Sequence, residues 1–150
     1  MIVYVDTSVL VRSYLADEDG HEDAVALLSD PDVAAVTGWL TRLEVSGALV
    51  RAARAGRTGR GPSERELLEI LDSDLGVDGP ITVVRAPERL LEREALSIVR
   101  THGLPTMDAC HLAVATLTVP PLLETGERMA FASRDDRQRE VAAELGFEPL

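Results

Sequence analysis

Hydrophobic residues in this 150-residue chain fall into two alternating patterns. Short, mainly apolar runs, Ile2 to Val5, Val33 to Val36, Ile81 to Val84 and Ala130 to Ala132, have the length of buried strands. Between them, apolar residues recur at helical spacing: Thr7 to Leu15, His21 to Leu28, Trp39 to Ala55, Glu64 to Leu75, Pro87 to His102, Met107 to Leu117, and a last helix closed by Gly146. The punctuation agrees. Asp17-Glu18-Asp19-Gly20 is a polar turn, Gly56 to Pro62 a glycine- and arginine-rich loop, and Gly103-Leu104-Pro105 a stop. Thr37, Thr106 and Ser133 are placed as N-caps, and Ser63 with Glu66 forms a capping-box pattern. The ending Phe147 to Leu150 can add an edge strand, the only place in a sheet where Pro149 is tolerable. Strands alternating with helices predict an α/β domain over residues 1–150, built on a mainly parallel sheet of four or five strands. In such sheets ligands bind beyond the carboxyl ends of the strands.

Charge narrows the chemistry. The net charge is −11, from 15 basic and 26 acidic residues, and every basic residue is arginine. A chain this acidic is not a nonspecific nucleic-acid binder, so contact with RNA or DNA needs a local arginine patch and a metal ion. The absence of lysine excludes mechanisms that need a P-loop or Schiff-base lysine. The single cysteine, Cys110, cannot form an intrachain disulfide and reads as a small buried residue. There is no basic start of a secretory signal, and the apolar stretch Leu112 to Leu123 is broken by Pro120-Pro121. The expectation is a cytoplasmic protein with no membrane segment.

Four acids then stand out. Asp6 ends the first strand; it is either the N-cap of the next helix or, if Thr7 or Ser8 caps instead, free at the strand end. Glu44 borders a stripe formed by Leu40, Leu43, Gly47 and Val50, where the alternative is an edge position reaching water. Asp108 opens a helix in line with Leu112 and Ala115; pairing with the helix dipole, about 0.3–1 kcal/mol, is its structural alternative. At the last strand, Ser133 with Asp136 resembles a capping box, which leaves Asp135 at the strand mouth. Four carboxylates gathered together raise one another's pKa, and a hard divalent cation removes that penalty. Oxygen-only ligands suit Mg²⁺ or Mn²⁺, and phosphodiester hydrolysis is the chemistry such a centre supports.

Lesser candidates surround them. Arg51, Arg54, Arg57 and Arg60 recur every three residues. Arg51 lies seven residues beyond Glu44, roughly 10 Å along the axis, and either holds a substrate phosphate or pairs with the helix dipole. Arg54 and Arg57 read as a solvated face. His111, one turn from Asp108, reads as packing or support for the site, with a general-base role as the alternative. Thr7, Ser8 and Ser133 are candidates for hydrogen bonds within the site or to substrate.

These residues also carry a family resemblance. Ile2-Val3-Tyr4-Val5-Asp6-Thr7-Ser8, Thr41-Arg42-Leu43-Glu44-Val45, Leu104 through Ala113 around Asp108, and Phe131-Ala132-Ser133-Arg134-Asp135 resemble in order and spacing the motifs of PIN-domain ribonucleases. The likeness is closer to the VapC-type toxins of bacterial type II toxin–antitoxin modules. It implies a PIN-like three-layer α/β/α fold and Mg²⁺- or Mn²⁺-dependent RNA cleavage, with Asp6, Glu44, Asp108 and Asp135 around the metal. It also implies a small cognate antitoxin, homodimers and toxin–antitoxin hetero-oligomers. Two other classes compete. A non-catalytic PIN-like binding module would suit a chain lacking one of the acids. Aspartyl-phosphate phosphatases and receiver domains also begin with a strand ending in Asp, but the former need an acid where Ser8 stands and the latter a lysine.

Overall fold

In the computed structural model, which describes residues 1–150, strand β1 (Ile2–Val5) is buried at every position, and its alternate residues serve two different cores. Ile2 and Tyr4 join one cluster and Val3 and Val5 the other, as the two-residue period of a strand requires. The same division holds in β4 (Met129–Ala132), where Phe131 faces the first cluster and Ala130 and Ala132 the second. Helices α1 (Thr7–Tyr14), α2 (His21–Ser29), α3 (Trp39–Arg54) and α4 (Glu64–Asp74) cover the Val3 face. Helices α5 (Glu88–His102), α6 (Thr106–Thr118) and α7 (Asp136–Glu144) cover the Tyr4 face. The result is the expected three-layer α/β/α arrangement. Tyr4 stacks on Phe131 with centroids 5.2 Å apart, and Phe147 meets Phe131 edge-on at 6.1 Å.

All five strands are parallel, in the order β3-β2-β1-β4-β5, with β2 at Ala34–Gly38, β3 at Thr82–Val84 and β5 at Glu148–Pro149. Pro149 lies in the edge strand, where its missing N–H is harmless. The chain leaves β1 for β2 on one side and reaches β4 on the other. The carboxyl ends of β1 and β4 therefore flank the topological switch point, so Asp6 and Ser133 emerge next to each other.

Three helix starts differ from the sequence expectation. Thr37 is no cap: it is fully buried in β2, and its hydroxyl lies 2.7 Å from the Val5 carbonyl and 2.8 Å from Thr41 Oγ1. Gly38 takes the cap position, and α3 follows β2 with no loop. A Cβ at Gly38 would stand 2.6 Å from the Tyr4 hydroxyl, so glycine is what allows this close approach. Pro105 precedes α6, and Thr106 is its first helical residue. Asp135, not Ser133, caps α7. The capping box of Ser63 and Glu66 is present as expected.

The apolar stripe of α3 also differs. Leu43 is 63% exposed, and the buried residues are Thr41, Val45, Leu49 and Ala52. Two apolar stripes coexist on this helix, and packing against α1 and α4 selects the one that the sequence reading did not choose. Glu44 still borders the buried stripe, through Thr41 one turn before it.

The loop after α3 is clamped rather than free. Arg57 binds Asp17 at 2.7 and 3.0 Å and Glu18 at 2.7 Å. These hydrogen bonds hold both carboxyls below their usual range. A depressed carboxyl contributes its stabilisation above its unfolded pKa, near 4, and loses it as pH falls through the lower folded value. Arg57→Ala should therefore lower the backbone NMR order parameters of residues 56–62 at neutral pH. The wild-type loop should loosen in the same way only below about pH 4. Unchanged order parameters in the variant would show that the loop is held by something else.

Candidate active site

Asp6 follows the carboxyl end of β1, the central strand, and caps α1. Its Oδ2 accepts from the Ser8 backbone N–H at 3.2 Å and from the Ser8 hydroxyl at 2.7 Å. Asp6 is thus the cap, and Ser8 does not replace it. Yet only one oxygen is used. Oδ1 remains, 3.5 Å from His111 Nε2, in a residue that is 7% exposed. The same division of labour recurs at the other strand end. Asp135 Oδ1 accepts from the Gln138 backbone N–H at 2.8 Å and caps α7, leaving Oδ2 free. The capping role expected of Asp136 falls to its neighbour: Asp135 caps α7 and its charge acts on Asp108, while Asp136 points outward and pairs only with Arg139.

Glu44 is held by neighbours from two other elements. Thr7 Oγ1 donates to Glu44 Oε2 at 2.7 Å, and His111 Nε2 lies 2.7 Å from the same oxygen. Burial alone would raise this carboxyl, but those two hydrogen bonds outweigh it and hold it below the ordinary value. His111 is 3% exposed and connects three elements. Nε2 meets Glu44 and lies 3.3 Å from Thr7 Oγ1, and Nδ1 is 3.0 Å from the Tyr4 hydroxyl. Burial opposes a charge on the imidazole, yet the hydrogen bond to Glu44 and the charges of Asp6, Glu44 and Asp108 raise it above its usual value. In the neutral ring, the carboxylate at Nε2 fixes the proton there, and Nδ1 accepts from Tyr4. The Tyr4 hydroxyl stays protonated, pushed well up by burial first and the Asp6 charge second.

Asp108 is half-buried at the start of α6, and no hydrogen bond supports its carboxylate. Burial first, then the charges of Asp6, Asp135 and Glu44, push its pKa up, with His111 opposing. This coupling means that the four acids share one electrostatic field. Ser133, 3% exposed, links them. Its hydroxyl donates to Gln138 Oε1 at 2.6 Å, lies 3.4 Å from Asp6 Oδ2, and accepts from the Asp135 N–H at 3.1 Å. Gln138 Nε2 in turn donates to the Asp108 carbonyl at 3.2 Å.

The donor chemistry fits a hard divalent cation. The free oxygens of Asp6 and Asp135 and the unsupported carboxylate of Asp108 are all oxygen ligands in a mutually repulsive field. No group of three His, Cys, Asp or Glu side chains stands at the spacing of a closed metal cage. Glu44 is engaged through Oε2 by Thr7 and His111, so Oε1 is its remaining oxygen.

Arg51 lies outside this cluster, exposed in the last turn of α3, with its guanidinium folded back over Gly47, 3.1 Å from where a Cβ would be. Arg54 pairs with Glu64 at 3.2 Å, and Arg57 belongs to the clamp. Cys110 is partly buried, and burial raises its thiol, in keeping with an inert residue. Sequence reasoning missed Tyr4 and Gln138. The one signal was a phenol inside an otherwise aliphatic strand, since a buried Tyr needs a partner for its hydroxyl. Gln138, fully buried one turn into α7, had none.

No helix is long and apolar enough to cross a membrane. No curated protein matches the chain. The PIN-domain family model matches residues 3–144, a span that contains all four acids, their caps and His111. The chain belongs to the PIN-domain family.

Proposed function

We propose that this chain is a single-domain, metal-dependent endoribonuclease whose Asp6, Glu44, Asp108 and Asp135 gather around Mg²⁺ or Mn²⁺, and that it is the toxin of a type II toxin–antitoxin module. PIN domains are generally nucleases and usually use divalent metal ions, so RNA hydrolysis extends the family assignment. The observation that carries the reading is Asp108. Its carboxylate accepts no hydrogen bond and is raised by burial and by three other acids, with His111 opposing; a cation among the acids would relieve that repulsion. Bound there, Mg²⁺ or Mn²⁺ would activate water and offset charge on the departing oxygen during attack at phosphorus.

The protein's own residues have separate tasks. Asp6 and Asp135 are held by the helices they cap, so their free oxygens are pre-positioned. His111 and Thr7 keep Glu44 ionised and oriented. Ser133 and Gln138 fix the spacing between β4, α6 and α7. The toxin assignment, an antitoxin partner, a homodimer and a cytoplasmic setting rest on the motif resemblance.

The test is cleavage of end-labelled RNA, and of DNA of the same sequence, by purified protein with Mg²⁺ or Mn²⁺. RNA should be cut, chelator should silence the reaction, and Asp6→Asn should abolish it while leaving a cooperative melt. Cleavage that persists unchanged in Asp6→Asn would assign the activity to a contaminant or to another site. Binding of metal and RNA without cutting would favour the binding-module alternative. Expression should arrest growth with the wild-type chain and not with Asp6→Asn.

A further inference from the structure

A cavity of about 230 Å³ opens beside the acidic cluster, lined by Val9, Arg12, Gly20, Asp23, Ser133 and Arg139 among others. Ser133 belongs to both places. Its carbonyl accepts from Arg139 on the cavity side, and its hydroxyl approaches Asp6 on the other. Arg134 stands at the junction, where its backbone N–H donates at 3.0 Å to Ser8 Oγ, which in turn donates to Asp6. Three guanidinium groups thus converge next to the site in a chain of net charge −11.

Two of the three have partners. Arg134 binds Glu18 at 2.7 Å, and Arg139 pairs with Asp136. Arg12, in the last turn of α1, has none. Its Nε–H is shut off from solvent and donates to nothing, and Glu18 and Asp19 act on it only through their charge. The guanidinium lies across Gly20, where a Cβ would come within 3.2 Å of Nη1. A polar group withdrawn from water without a partner is costly, and folds rarely keep one to no purpose. Partial burial and repulsion from Arg134 and Arg139 all work against this charge. An anion in the cavity would relieve the repulsion and supply the missing acceptor.

We propose that this cavity is a phosphate subsite, in which Arg12, with Arg134 and Arg139 beside it, holds a backbone phosphate of the RNA strand next to the one being cleaved. The planar fork of arginine matches two phosphate oxygens. Arg12 lies six residues beyond Asp6 along α1, about 9 Å of helix axis, so the phosphate it holds belongs to a neighbouring nucleotide. The subsite offers the substrate one unpaired guanidinium, with Asp23 also in the cavity wall and Arg134 and Arg139 already paired with acids, and it sets the direction in which the strand crosses the acids. It rests on the ribonuclease reading above.

The test is fluorescence anisotropy of a short labelled single-stranded RNA in chelator, where no cleavage occurs, across a salt series, with cleavage assayed in parallel. Arg12→Gln should bind about tenfold more weakly whatever the RNA sequence. Its plot of log affinity against log salt should be shallower by about 0.7. Arg12→Lys should recover the slope. Because the Arg12 side chain makes no hydrogen bond or ion pair in the fold, Arg12→Gln should melt at or above the wild-type temperature. Wild-type protein that cuts RNA, with Arg12→Gln equal to it in affinity and slope, would overturn the subsite and leave the ribonuclease reading standing. A large fall in the melting temperature of Arg12→Gln would overturn it too, by making Arg12 structural. Wild-type protein that neither binds nor cuts RNA would overturn the ribonuclease reading, and the subsite with it.

Discussion

Asp108→Asn should lower nuclease activity by about 10²–10³-fold and at the same time raise the melting temperature of the metal-free protein. The two effects have one cause. Asp108's carboxylate accepts no hydrogen bond, and its charge is opposed by burial and by Asp6, Asp135 and Glu44. An amide of the same shape removes that repulsion and breaks no contact. It also removes a hard anionic ligand from the proposed centre, where only the charged oxygen serves. Stability gained where function is lost is the expected mark of a site kept strained for its chemistry. Thermal melts with and without Mg²⁺ are the check. Metal should raise the wild-type melting temperature by binding the folded state, and should shift Asp108→Asn much less. Asp136→Asn is the control, since that residue is exposed and touches only Arg139, and such pairs contribute little. A fall in the melting temperature of metal-free Asp108→Asn would mean that its carboxylate supports the fold, and the argument for a cation there would fail.

His111→Ala should destabilise the protein by about 2–4 kcal/mol, from the loss of a part-buried charge-assisted hydrogen bond, a buried hydrogen bond to Tyr4 and the packing of the ring, and lower the melting temperature by roughly 4–16 °C. His111 is 3% exposed and holds Glu44 at 2.7 Å and Tyr4 at 3.0 Å. Without the ring, Glu44 keeps only Thr7, the buried Tyr4 hydroxyl has lost its acceptor, and a cavity remains. Activity of the folded fraction should fall by about 10–100-fold, as when the partner that orients a metal ligand is removed. Tyr4→Phe separates the contributions. It deletes one hydrogen bond, keeps the stack on Phe131, and should cost about 1 kcal/mol. A melting temperature of His111→Ala within a few degrees of wild type would remove His111 as the support of the site.

Much of the fold was legible because strand and helix periods are properties of a one-dimensional pattern. The four apolar runs became strands, and the structure assigned Ile2 and Tyr4 to one layer of helices and Val3 and Val5 to the other. The stripe of α3 was not legible. Leu40, Leu43 and Val50 have helical spacing as good as that of Thr41, Val45, Leu49 and Ala52, and only the neighbouring helices decide which stripe is covered. The caps were misplaced for a related reason. Thr37, Ser133 and Thr106 are chemically able to cap, but Thr37 is drawn into the sheet by Val5, Ser133 into the network of Asp6 and Gln138, and Pro105 precedes Thr106 in the cap position.

The site divides along the same line. The sequence alone determined the α/β class, the positions of Asp6 and Asp135 at strand ends, and the family motifs, because each depends on residues within one or two turns of one another. Only the tertiary structure decided that Asp6 and Asp135 cap their helices with one oxygen and keep the other. The same holds for Glu44 and Tyr4 meeting through His111, and for Arg57 clamping a loop while Arg12 stays without a partner. The two caps are local, but the contacts through His111 and Arg57 join groups far apart along the chain, and no local periodicity encodes them. They follow from strand order, which brings the ends of β1 and β4 side by side and turns isolated acids into one shared field.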